Sequence, residues 1–318
     1  MRAVRTASLP RSHDPTSRKA LLQIHLCVLL WGLTAILGKL ISLRAVSLVW
    51  WRMVIVLVAL ALVPRFWRGL ARTPPRMIGI YAAIGALVAL HWVTFYGAIK
   101  LANASVAVSC LGLGPVFAAV IEPAVTGRRF EVRELLLGVG VLPGVALVVG
   151  GTPAGMQAGI AVGSFSAALI ALFGSLNKRF VERADPLVVT GLELGAGTLL
   201  LSIVIVVVQQ DWASLSSPGP RDAVLLLMLA IGCTLLPFAL SLVALRHLSA
   251  YSAQLALNLE PIYAIVLAIV LLGEQRELGA AFYVGVAIIL SAAIAHPLLA
   301  ARARRSPRST TTVSTLRE

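Results

Sequence analysis

Charge is what this chain is short of. Only 13% of its 318 residues are charged, where a soluble domain carries about 25%. Hydrophobic residues make up 59%, and mean hydropathy is +0.93. That composition cannot cover a water-facing surface and points instead to a polytopic membrane protein. Acid is the scarcer sign, with 13 Asp+Glu against 27 Lys+Arg and a net charge of +14. In a soluble chain such an excess would suggest nucleic acid. Here the basic residues fall between apolar runs and in the two tails, where topology puts them, so no nucleic-acid partner is expected.

Cysteine is nearly absent. Cys27, Cys110 and Cys233 all lie within apolar runs and share no ligand spacing, which argues against disulfide, metal or thiol chemistry. The loops reach only about a dozen residues, so no separate nucleotide-binding domain fits. The nearest thing to a phosphate loop, from Gly32 to Lys39, has five residues between its glycines and ends in Leu40, not the required spacing and Ser/Thr. Neither His-Glu-x-x-His nor Gly-x-Ser-x-Gly occurs, which weighs against an intramembrane hydrolase. No cofactor is expected.

What the chain does have is long apolar runs. A span needs about 20 mainly apolar residues, and ten runs qualify, at 20–40, 46–63, 77–99, 104–125, 135–149, 159–176, 187–208, 223–245, 250–272 and 278–300. The fifth is short and is interrupted by Gly138, Gly140, Pro143 and Gly144. With the N-terminus in the cytoplasm, the inside segments hold 21 Lys/Arg and the outside segments 5, and Arg52 within a span completes the 27. That asymmetry predicts ten spans with both termini cytoplasmic, and the expected location is the plasma (inner) membrane. Residues 1–19 and 301–318 are polar and Arg-rich and read as disordered tails.

Two stretches repeat. AIKLANASVAVSCLGLGPVFAAVIEPAVTG at 98–127 aligns with ALRHLSAYSAQLALNLEPIYAIVLAIVLLG at 244–273 when shifted by 146 positions. Pro115 then falls on Pro261 and Gly127 on Gly273. Five spans per half is an odd number, so the second half enters the membrane from the opposite side and the repeat is inverted. The expected architecture is an all-α membrane protein of ten transmembrane helices, with five-helix repeats at 20–150 and 158–300.

The segment LEPIYAIVLAIVLLGEQRELGAAFYVGVAIILSA resembles the last two spans of a repeat in EamA-type transporters of the drug/metabolite transporter superfamily. The mid-span Pro261, the Gly273-Glu274 pair and Gly285 carry the likeness. HWVTFYGAIKLANASVAVSCL, from His91, is similar to the third and fourth spans of that family, and Trp31-Gly32 followed by Arg52 to its opening pair. One departure stands out: Leu259-Glu260-Pro261 is matched in the first half by Leu113-Gly114-Pro115. The resemblance implies a secondary transporter, here an exporter, moving small metabolites such as amino acids by alternating access through a cavity between the repeats. A channel or a non-transport membrane protein is the alternative. The implied partners are a small-molecule substrate and membrane lipid, with a homo-oligomer left open.

Charge within a span asks for a reason, since it costs about 2.5–3.5 kcal/mol on the insertion scale. Four such residues are Arg52, Glu122, Glu193 and Glu260. Glu260 is the deepest, and Pro261 beside it frees the carbonyl of Leu257, a way to open a polar cavity. The plain alternative is a kink with a satisfied carboxyl. Arg52 can hold an anionic group, pair with a carboxylate, or snorkel to the interface. Glu193, among Gly191, Gly195 and Gly197, either lines the cavity or balances Arg52; Glu122, near a span end, reads as structural. His91, close to Trp92 and Tyr96, relays a proton or is simply hydrogen-bonded. Gln254 and Asn258 form a polar stripe with Tyr251 on the helix of Glu260. The substrate or ion pathway is therefore expected to involve Glu260, Arg52, His91, Asn258, Glu193 and Gln254, with helix breaks at Pro115 and Pro261.

Overall fold

The computed structural model describes residues 15–127, 129–180, 183–237, 240, 244 and 259–291. The stripe residues Tyr251, Gln254 and Asn258, most of 1–19 and all of 301–318 lie outside the described residues. Within them the chain is helical: α1 (Pro15–Leu40), α2 (Ala45–Ala61), α3 (Pro64–Leu70), α4 (Pro75–Leu101), α5 (Ala104–Leu111), α6 (Gly114–Thr126), α7 (Val132–Val139), α8 (Leu142–Gly150), α9 (Gln157–Phe180), α10 (Pro186–Ile203), α11 (Pro220–Leu227), α12 (Glu260–Leu267) and α13 (Ala280–Ser291). Wider π-helical turns prolong α10 over Val204–Val208, α11 over Met228–Leu235 and α12 over Ala268–Leu272.

Prolines start many of these helices. Pro64, Pro75, Pro115, Pro186, Pro220 and Pro261 each occupy the first turn, where the missing N–H has no helical partner to lose. Asn103 caps α5 by accepting the Val106 N–H, and Asp185 caps α10 by accepting that of Leu187. These side-chain acceptors satisfy backbone donors that the first helical turn leaves free.

The repeat is visible in the backbone. α6 begins at Gly114 and α12 at Glu260, residues 146 apart, after a helical-region Leu113 and Leu259. The matching ends are Gly127 and Gly273, both left-handed, with φ 75° and 70°. That geometry is open to glycine at little cost and closes a helix C-terminus.

Among the described residues five helical stretches are long and apolar enough to cross a membrane, Arg18–Leu40, Pro75–Leu101, Ala104–Thr126 (α5 with α6), Ala154–Phe180 and Pro186–Val208, and a sixth counts if α2 and α3, bent by 93°, form one span. The ten runs expected from hydropathy are therefore seen only in part. The fifth run breaks between α7 and α8 at Gly140 and Val141, and the eighth, ninth and tenth extend beyond the described residues. The outer faces are apolar, with Leu199, Val207 and Val270 well exposed, as a lipid-facing surface requires. The chain is an integral, all-helical membrane protein.

The connections gather at two ends. At one end Ser42 donates through its backbone N–H and its hydroxyl to Asp222, Arg44 pairs with Asp211, and Gly279 N–H bonds to Gly151 O. At the other, Arg65 pairs with Asp185 and Lys178 with Glu122. Most of the core lies in one buried cluster linking α1, α2, α4, α5, α10 and the turns after α11. A second cluster joins α8 and α13 to α5 and α9.

Candidate functional site

A cavity of about 400 Å³ lies inside the helix bundle, within the range usual for small-molecule sites. α1, α2, α4, α5, α9, α10, the π-turn after α11 and α12 each supply at least one wall residue. Among the described residues α7, α8 and α13 supply none. Arg52, His91, Glu193 and Glu260 all face this one space, although they are far apart in sequence.

Arg52 projects from the middle of α2 and is 5% exposed, so it is not reaching for the interface. Its Nε donates to Thr234 Oγ1 at 2.9 Å and its Nη1 to Tyr96 Oη at 2.8 Å. The guanidinium carbon is 3.8 Å from the centre of the Trp92 ring, a close cation–π contact. No ion pair joins Arg52 to an acid among the described residues. The two neutral hydroxyls and the indole hold the guanidinium in place in the absence of an acidic partner among the described residues.

The two carboxyls are not Arg52's partners. Glu193 is buried, and its Oε1 has no hydrogen-bond partner among the described residues. Asn177 of α9 is a polar neighbour of the same carboxyl. α10 brings Glu193 in because α4 has glycine where it crosses: a Cβ at Gly85 would stand 2.1 Å from Glu193 O. Glu260, the first residue of α12, forms no ion pair and no hydrogen bond to another described residue. At a helix N-terminus its negative charge is favoured by the backbone dipoles.

His91 is tied to α9. Its Nδ1 lies 2.8 Å from Ser166 Oγ and 3.0 Å from Ser166 O, and Ser166 Oγ donates to His91 O at 2.9 Å. Phe95, one turn on, stacks against it at 6.2 Å. This is the hydrogen-bonded arrangement that a histidine in an apolar helix usually adopts. Tyr96, expected beside His91, serves Arg52 instead. Glu122 is not at the cavity; Lys178 reaches it from α9.

Sequence reasoning missed several wall residues. Thr34, Thr190 and Thr234 line the cavity, as do Trp31, Phe95 and Phe173. Threonine gives little signal in an apolar helix because its hydroxyl is commonly satisfied by a carbonyl one turn back, as Thr234 is by Leu229 O. The aromatic residues look like core in any apolar run. Pro115 starts α6 below the wall residue Leu111 and does not itself face the cavity. Gln254 and Asn258 lie outside the described residues.

A family model described as the EamA-like transporter family matches residues 18–150 and again 157–295. The comparison with curated proteins returned no match. Solved structures are similar in fold: one crystal structure aligns over 91% of this chain and 99% of its own at 19% identity, with a TM-score of 0.60. The two family matches cover most of the chain, one on each repeat, and the family is one of membrane transporters and not of enzymes. The chain belongs to the EamA-like transporter family.

Proposed function

We propose that the protein is a secondary transporter, working as an exporter in the plasma membrane, whose substrate is a small amphoteric metabolite of the amino-acid type. The observation that carries this reading is the cavity's charge pattern. A guanidinium with no carboxylate partner and two carboxyls with no cationic partner, among the described residues, face the same 400 Å³. Leaving three such groups unpaired in an apolar bundle is costly unless a ligand completes them. A substrate carboxylate fits Arg52, its ammonium fits Glu260 or Glu193, and an apolar side chain fits the Trp92, Phe95 and Phe173 surface.

Alternating access is supported by where the walls come from. Both sequence repeats contribute helices to the cavity, so rocking one half against the other can open it to either side without moving the site. The charge split supports both termini in the cytoplasm: the end of the bundle with Arg65 and Lys178 is rich in arginine, and the Ser42 end is not.

The test is counterflow in proteoliposomes loaded with amino acids, together with their decarboxylated amines and deaminated acids as competitors. Saturable counterflow of the amphoteric compound, competed more weakly by either half-molecule, is the expected result. Ohmic conductance without saturation would make the protein a channel and overturn the reading. Loading one face only reads the direction.

A further inference from the structure

A second cavity, of about 480 Å³, lies at the arginine-rich end of the bundle, away from the first. Its wall is made by 65–74, the α3 helix and the turn after it, and by 183–185, the turn before α10. The first segment belongs to one repeat and the second to the other. Arg65, Arg68, Arg72 and Arg183 surround it, with Asp185 as the one acid among the described wall residues.

Asp185 is already committed. Arg65 Nε and Nη2 reach its Oδ2 at 2.9 and 2.8 Å, and its Oδ1 accepts the Leu187 N–H at 3.0 Å. Thr73 spends its hydroxyl proton on Gly69 O. Arg68, Arg72 and Arg183 are thus left around one concavity with no carboxylate partner among the described residues. All three are exposed, Arg183 lies over the Phe180 ring at 5.2 Å, and guanidinium forks gathered around one concavity match the charge and acceptor oxygens of a phosphate group.

The position of α3 suits a membrane surface. It turns 93° from α2, Phe66 is buried against Gly191 of α10, and Trp67 stays exposed while its Nε1 donates to Ala61 O. An exposed tryptophan beside arginines at the end of a span is typical of headgroup depth. Basic pockets between spans on the cytoplasmic side are where anionic headgroups bind.

We propose that this pocket binds a phosphate group, that of an anionic phospholipid headgroup or of free phosphate, which joins the α3 turn of one repeat to the α10 turn of the other. The assignment does not depend on the substrate reading, because none of these residues faces the first cavity.

The experiment uses the whole protein reconstituted in nanodiscs of equal phosphatidylglycerol and phosphatidylcholine, with native mass spectrometry of retained lipid. A parallel arm measures melting temperature in detergent with inorganic phosphate against chloride at matched ionic strength. The pocket variant is Arg68→Gln/Arg72→Gln/Arg183→Gln, and the control is Arg76→Gln/Arg129→Gln/Arg179→Gln, three arginines outside the pocket. Selective phosphatidylglycerol retention, lost in the pocket variant only, supports the site with lipid as the source. A phosphate-dependent rise in melting temperature without lipid preference, again lost only in the pocket variant, supports it with free phosphate as the source. Neither effect, or equal loss in the control, overturns it. Should the pocket variant fail to fold, hydrogen exchange on the wild type decides: phosphate-induced protection of 65–74 and 183–187 supports the site, and its absence overturns it.

Discussion

Glu274 Oε2 accepts the backbone N–H of Ser105 at 2.8 Å, while Oε1 accepts that of Ala104 at 2.9 Å. A side chain from the turn after α12, 2% exposed, thereby caps α5 in the other half of the molecule. Nearby, Asn103 donates to Glu277 at 3.0 Å. The position matching Glu274 in the first repeat, 146 residues earlier, is Arg128, whose charge is the wrong sign for a helix N-terminus. The two halves share a backbone plan, and this fastening exists in only one of its two places in sequence.

Removing that cap is expected to be expensive. Glu274→Ala leaves two buried N–H groups without an acceptor, and a loss of about 3 kcal/mol follows from charge-assisted bonds of about 1.5–3 kcal/mol each, partly offset by relaxation. Thermal unfolding in detergent measures it. Glu274→Gln should lose less, since an amide oxygen still accepts one bond; equal and small losses for both would show that the cap contributes little.

Arg52→Gln should raise KM for a substrate with a carboxylate at least about tenfold, equivalent to about 1.4 kcal/mol, and spare the decarboxylated amine. Arg52→Lys keeps the charge but loses the fork held by Tyr96 and Thr234, so it should rescue only in part. If acid and amine suffer equally, Arg52 is a structural residue.

For Glu260→Gln, which keeps volume and hydrogen-bonding capacity, normal insertion and expression are expected with transport reduced at least about tenfold. Nothing among the described residues depends on its charge for packing. Wild-type transport by a well-expressed Glu260→Gln protein removes this residue from the site.

Two glycines of α4 should respond in opposite ways to alanine. At Gly79 a Cβ meets nothing within 4 Å, and Gly79→Ala should stabilise the helix by up to about 1 kcal/mol. At Gly85 the same atom would meet Glu193 O at 2.1 Å, so Gly85→Ala should force α10 away and cost about 1–3 kcal/mol. Paired melting curves decide it, and a stabilising Gly85→Ala would mean that α4 and α10 do not cross this closely.

Topology can be read with single cysteines in a background lacking Cys27, Cys110 and Cys233. Arg44→Cys is expected to react with impermeant reagent from outside the cell and Arg68→Cys only after permeabilisation, with tags at both termini reporting cytoplasm. Labelling of both cysteines from the same side would contradict the up-and-down path.

Membrane class, helical content, the duplication and the family were all legible in the sequence. Each is a local or one-dimensional property: hydropathy along a run, an offset of 146, a glycine where a helix must end. That is why Gly127 and Gly273, or the starts of α6 and α12, could be matched before any contact was known. Which faces meet is another matter. The cost of ionisable groups inside spans already singled out Arg52, His91, Glu193 and Glu260 in the sequence, but in a span that is apolar all round periodicity does not tell the protein side from the lipid side, so packing decided how the four are set around one cavity. Packing also chose their partners: Tyr96, Thr234 and Trp92 for Arg52 in place of an acid, Ser166 for His91, and Lys178 for Glu122. Such pairings depend on distances of a few ångströms between helices far apart in the chain, and hydropathy carries no record of them.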